Sequence, residues 1–174
     1  MIRQRYEEPM EIKEACEEEV ISEIRMIKLL PHGISENWPD LKRCIELSLP
    51  KVGVTSDQRP ERMTMILEEL LAGSMEIHVF YRLIRNVPFT YALVLTSIIM
   101  SVDGTHTDLL IHCFYGHRKM ITNGDLETGL GILAKYAKSK GCVSIVTYAS
   151  REFYQQFLAS IGFNTDFIYA VKEV

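Results

Sequence analysis

Along residues 8–24, apolar side chains recur every four positions through Ile12, Cys16, Val20 and Ile24, with glutamates filling most positions between. That period predicts a surface helix with one apolar stripe. A short strand is predicted over 24–30. Asn37 is a capping candidate and Pro39 suits a first turn, so a helix is expected to run from there to about Leu49, burying Leu41, Cys44 and Ile45. Pro50 stops it, and residues 51–59 read as a polar loop. Pro60 opens a second helix, where Met63, Ile66, Leu67, Leu70 and Leu71 keep helical spacing until Gly73.

The period then drops to two. Met75, Ile77, Val79, Tyr81 and Leu83 alternate with Glu76, His78, Phe80 and Arg82, which predicts a strand with one face in the core. Residues 89–102 form a longer predicted strand, and Asp103-Gly104 is a hairpin signal. In the returning strand, 105–115, Leu109, Ile111, Cys113 and Tyr115 fall on one face. His106, Asp108, His112 and Phe114 fall on the other. Thr122-x-x-Asp125 has the form of a capping box with Asp for Glu. It opens a helix striped by Leu126, Leu130, Leu133 and Ala137 and ended by Gly141. A strand at 143–147, a helix at 150–161 carrying Phe153, Phe157 and Ile161, and a strand at 167–171 complete the order.

An antiparallel meander followed by strand–helix–strand–helix–strand implies an α/β (α+β) fold. Its sheet is mixed and mostly antiparallel, with helices on both faces. Residues 1–22 are expected to form a helical extension, and 23–174 one domain.

Composition narrows the function classes. The 174 residues are 47% hydrophobic, enough for a real core. A formal net charge of −4, with no basic stripe, argues against gripping nucleic acid, which needs a cationic face. The four cysteines, Cys16, Cys44, Cys113 and Cys142, are scattered without metal-ligand spacing, so no metal site is expected. No apolar run is long enough to span a bilayer, and the charged first residues do not resemble a signal peptide. A cytoplasmic location follows as the expectation.

The element order from residue 24 to 174 resembles the GNAT family of N-acetyltransferases. The local match is best in Leu109-x-Ile111-x-Cys113-x-Tyr115, in the helix over 122–141, in 143–147, and in Phe157-Leu158-Ala159-Ser160-Ile161-Gly162-Phe163. The resemblance implies acetyl-CoA as cofactor and an amine as substrate. It also implies a loop of the form Arg/Gln-x-x-Gly-x-Gly/Ala, whose amides approach the CoA pyrophosphate. Two glycine registers are open. Gly129-Leu130-Gly131 supplies the pair but leaves a short helix. Gly124 as the first glycine places Leu126 at the second small position, with Ile121 or a displaced Arg118 as the loop arginine.

On the second register the implied cofactor-binding residues are Phe114, Tyr115, Gly116, Arg118, Gly124, Asp125 and Leu126. The family's proton-donating Tyr falls on Leu158, and Tyr154, one turn earlier, is the substitute. A general base is sought on the polar strand face among Glu76, His78, Asp108 and His112, with His112 the most central. Two functions follow. One is acetyl transfer from acetyl-CoA to an amine. The other is a GNAT-fold protein without catalysis, such as a phage virion-associated protein, docking or forming oligomers through its N-terminal helix.

Overall fold

The computed structural model describes residues 23–48, 59–84, 86–101, 103–116, 121–148, 156 and 158–164. The helix expected within 1–22, the loop over 51–58, Arg118, Tyr154 and the strand expected at 167–171 lie outside them. The described elements are β1 (Arg25–Lys28), α1 (Pro31–Ser48), α2 (Arg59–Ala72), β2 (Met75–Ile84), β3 (Val87–Met100), β4 (Thr107–Gly116), α3 (Asn123–Ser139) and β5 (Ser144–Thr147).

The five strands form one sheet in sequence order. β1 to β4 pair antiparallel, and β4 pairs with β5 in parallel. Helices cover both faces of this mixed sheet. Under α1 and α2 lie Ile77, Val79, Leu93, Leu95 and Cys113, packed on Ile34, Leu41, Ile45, Met63, Ile66 and Leu70. Under α3 lie Phe80, Tyr91, Ala92, Val94, Leu109 and Ile111, packed on Leu133 and Ala137. Ile45, Leu95 and Leu109 are fully buried. Each such aliphatic side chain contributes about 1.5–3 kcal/mol by leaving water.

Two expectations change here. β2 has both faces in the core, not one, because His78 and Phe80 are as buried as Ile77 and Val79. The first long helix begins at Pro31, well before Asn37, and carries Pro39 inside it. Starting there brings Ile34 onto the face of Leu41 and Ile45, and all three are buried. Pro39 costs one helical hydrogen bond. Asn37 does not cap the helix; its Nδ2 donates to the Gly33 carbonyl at 2.8 Å. Pro60, by contrast, lies in the first turn of α2 as expected. Residues 158–164 close a helical turn at Gly162, whose φ of 92° is the left-handed conformation glycine tolerates.

Two β-bulges reorganise the sheet. In the β2–β3 ladder Phe80 pairs with Ala92 and Tyr81 with Thr90, leaving Tyr91 as the extra residue. In the β3–β4 ladder Leu95 pairs with Cys113 and Thr96 with Ile111, leaving His112 as the extra residue. A bulge shifts the alternation of faces by one. The four residues expected on one face therefore divide: Leu109 and Ile111 face α3, whereas Cys113 and Tyr115 face α1 and α2.

Among the described residues, no helix is long and apolar enough to cross a membrane. Nor does any group of three or more His, Cys, Asp and Glu residues stand where it could hold a metal ion.

Candidate active site

The β4–β5 ladder holds only four pairs, from Asp108–Ser144 to Ile111–Thr147. Beyond Thr147 the chain leaves the strand at Tyr148, while β4 continues to Gly116. Among the described residues the pairing of the two strands ends there, at a fork between them. His112 is the first residue of β4 past the last pair, so the bulge sits at the fork.

The bulge turns His112 toward the α2 face. Its Nε2 lies 2.8 Å from Ser97 Oγ. Burial, and then the nearby Arg62 charge, lower its pKa below the usual value near 6.5. The imidazole is thus held neutral at physiological pH, with one ring nitrogen fixed by Ser97. Glu76 and His78, the other candidates from β2, belong to a different cluster. His78 Nε2 lies 3.0 Å from Thr96 Oγ1, and Glu76 holds Lys28 and the Tyr136 hydroxyl. Asp108 accepts from Ser144 Oγ at 2.7 Å at the start of β4, away from the fork. The polar face read from the sequence is therefore three separate places, and only His112 lies at the fork.

At the mouth of the fork α3 begins. Thr122 is its N-cap and forms a reciprocal box with Asp125, as the sequence predicts. Thr122 Oγ1 accepts from the Asp125 amide at 3.2 Å, and Asp125 Oδ2 accepts from the Thr122 amide at 2.9 Å. The Leu126 amide turns back to the Thr122 carbonyl at 3.2 Å. The first two amides, of Asn123 and Gly124, have no acceptor within the helix. Gly124 is exposed, and a Cβ there would meet only Thr122 Oγ1, at 3.9 Å. Leu126 is half-buried.

Gly129 lies in the second turn, where a Cβ would come within 3.5 Å of the Phe80 ring. It is a packing glycine, and Gly131 is equally interior to α3. The register on Gly124 is the one at the helix start. Ile121 packs into the core under α3, so it presents no donor to a ligand.

Phe114 is opposite Val94, on the α3 face, and is 44% exposed. Tyr115 packs against the α1–α2 core. Gly116 closes the strand under a tight roof. A Cβ there would fall 2.3 Å from Ile121 Cδ1 and 2.9 Å from Phe114 Cε1. Gly116→Ala is therefore expected to cost about 1–3 kcal/mol as both side chains shift. Urea unfolding measures this, and an unchanged midpoint would mean that the roof yields freely.

With this geometry, 92 solved chains match the structure. A putative acetyl transferase from Pyrococcus furiosus aligns with a TM-score of 0.64 and 17% identity, over 87% of this chain and 100% of that one. The fold is that of the GNAT acetyltransferases. A predicted acetyltransferase from Clostridium acetobutylicum, solved with acetyl-CoA, aligns at 0.58 and 18% identity, over 86% and 96% of the two chains. Glucosamine-6-phosphate N-acetyltransferase from Arabidopsis thaliana aligns at 0.55 and 15%, over 87% and 99%. No protein-family model and no curated protein matches the sequence.

Three residues of the site carry no motif in the sequence. Ser97 fixes His112, Arg82 Nη2 donates to Asp125 Oδ1, and Tyr91 is turned toward α3 by its bulge. For Tyr91 the sequence carries no local signal. It shows only in the fold: Tyr91 and Ala92 are consecutive, yet Phe89, Tyr91, Ala92 and Val94 all belong to the α3-side core, the break in alternation that a bulge makes.

Proposed function

We propose that the chain is an acyl-CoA-dependent N-acyltransferase that passes an acetyl group from acetyl-CoA to an amine. The observation that supports it best is the fork, where among the described residues β4–β5 pairing ends at Ile111–Thr147 while β4 continues to Gly116, with the start of α3 at its mouth. The residues present fit such a cofactor. Gly124 leaves open space at the start of α3 for phosphate oxygens, Phe114 offers an exposed apolar face, and β4 past Ile111 offers backbone groups to the pantetheine amides. Bound there, acetyl-CoA would supply a thioester with an electrophilic carbonyl carbon.

The chain's own residues then divide the work. Backbone N–H groups at the His112 bulge lie out of ladder register and suit a carbonyl oxygen that is gaining charge. The neutral His112 imidazole accepts the proton that the amine sheds as it attacks. This requires the tautomer in which Nε2–H donates to Ser97 Oγ, leaving the Nδ1 lone pair free. Tyr154 remains the proposed donor to the departing thiolate, since Leu158 has no proton to give.

The reading predicts that millimolar acetyl-CoA stabilises the chain. At a hundred times Kd the gain is about 2.7 kcal/mol, and each kcal/mol raises the melting temperature of a chain this size by about 2–4 °C. No shift at millimolar acetyl-CoA would overturn the proposal.

One observation favours a second reading, a GNAT-fold protein with a structural or binding role, for instance in a phage virion. Asp125 spends its amide on the cap and sets a carboxylate at the helix end where a phosphate would arrive. A folded chain that ignores acetyl-CoA is the outcome that reading expects.

A further inference from the structure

Buried polar side chains are shared unevenly between the two faces of the sheet. Of the four among the described residues, His78, Thr96, Asp108 and Asp125, two lie under α3 and a third caps it. The core under α1 and α2 holds apolar side chains and Cys113. The two helical layers are therefore seated by different forces. Apolar burial seats α1 and α2, whereas α3 rests in part on a polar cluster.

His78 is the centre of that cluster. Its Nε2 lies 3.0 Å from Thr96 Oγ1 and 3.4 Å from Glu76 Oε2, and the Tyr136 ring of α3 closes over it edge-on. β1 brings Lys28 to the cluster and β2 brings Glu76. α3 brings Tyr136, and Lys140 and Cys142 follow its end. Glu76 is the only carboxylate among these groups, and both its oxygens are engaged, one by Lys28 and the other by Tyr136. Because His78 Nε2 faces acceptors, it carries the proton of the neutral ring, and Nδ1 is left bare. That nitrogen is buried without a partner. A second proton must go to Nδ1, where it makes a charged donor with no acceptor in reach. Water relieves that state only if a neighbour moves aside. β2 and β3 are held by their ladder, while Tyr136 joins the cluster through its side chain.

We propose that His78 makes α3 a proton-released layer: protonation of the buried ring opens α3 from the sheet, while the sheet and the α1–α2 layer stay folded. Parts of one domain open separately where their contacts differ in strength. The ring titrates at about 4 when covered and near 6.5 when exposed, so its neutral form holds α3 down above pH 6.5 and loses that hold as pH falls towards 4. The opening constant of α3 therefore rises about twentyfold between pH 7 and pH 5. His112 also has a lowered pKa, but it faces α2, and opening α3 leaves it covered. None of this depends on the acyl-CoA reading.

Amide hydrogen exchange of the full chain without ligand tests this at pH 7, 6 and 5, with opening constants corrected for the intrinsic exchange rate. The amides of α3 are expected to open more readily than those of α2 and β3 at each pH, and about twentyfold more at pH 5 than at pH 7. His78→Gln should show no such rise. Tyr136→Phe keeps the ring but loses the hydroxyl, so it should raise α3 opening at every pH and keep the rise. Equal opening constants for α3, α2 and β3 at pH 5 would mean that α3 opens only with the whole chain, and the proposal falls. A rise that persists in full in H78Q overturns it as well. Should H78Q fail to fold, Y136F decides: α3 opening no greater than in the unaltered chain would remove the cluster from the seat of α3.

Discussion

Replacing His112 with glutamine is expected to lower turnover of an amine about a hundredfold or more, while acetyl-CoA binds as before. A positioned general base contributes about 10²–10⁴ in rate. Glutamine preserves a polar group near Ser97 but cannot take up a proton. The environment of His112 suits the task, because burial and Arg62 keep the imidazole neutral. The sign of the shift fixes the pH profile. With its pKa below 6.5, His112 is already the free base at pH 7, and kcat/KM should fall only as pH drops below that value. The H112Q variant should lose this acid limb. Ser97→Ala leaves the ring titratable but free to turn, so its loss should be smaller and the limb should persist. An H112Q enzyme with full activity, or one that keeps the acid limb, would remove His112 from the mechanism.

That residue also shows where sequence reading stops. The capping box at Thr122 was legible because its partners are three residues apart, and the structure forms it as written. Helix α2 and strand β2 were legible for the same reason: their periods are local, and their apolar sets, Met63, Ile66 and Leu70 or Ile77 and Val79, are buried as expected. A bulge is different. It exists only in the register between two strands, and nothing local distinguishes Leu109, Ile111, Cys113 and Tyr115 from a regular alternation. The sequence therefore places His112 beside Asp108 and His78 on one face, while the folded sheet sends His112 to α2 and His78 to α3.

Single residues can also mislead. Pro39 reads as a helix start because proline suits a first turn. The burial of Ile34 against the sheet outweighs one lost hydrogen bond, and the helix begins at Pro31. Arg82 could be read as one charge on a polar strand face. Its meaning depends on Asp125, 43 residues away, and on a tyrosine that only a bulge brings round. Both bulges turn a polar side chain, Tyr91 toward α3 and His112 toward α2. Bulges are frequent beside active sites for this reason.

The second large effect concerns stability. The chain is expected to lose about 2 kcal/mol between pH 7 and pH 5 through His78 alone. His78 is fully buried under α3, with Nε2 3.0 Å from Thr96 Oγ1 and 3.4 Å from Glu76 Oε2. The Tyr136 ring meets it edge-on at 4.7 Å, and Nδ1 is buried without a partner. Burial lowers its pKa from 6.5 to about 4; Glu76 pulls upward, while Lys28 and Lys140 add to the depression. Because the folded value lies below the unfolded one, the neutral ring favours folding. That contribution is complete above pH 6.5 and is lost as pH falls towards about 4. Between those limits the shift is worth about 3 kcal/mol. Glu76 is also depressed, after burial is outweighed by Lys28 and Tyr136, but its share is lost only below 4.5. Glu76 therefore lies outside the window from pH 6.5 to 4.5, which holds His78 and, because its pKa is lowered as well, His112. Urea unfolding at pH 7, 6 and 5 should show the slope in the unaltered chain and a smaller one, the share left to His112, in His78→Gln. If the two stabilities fall in parallel, the buried imidazole does not govern the acid response, and the polar cluster under α3 tolerates its charge.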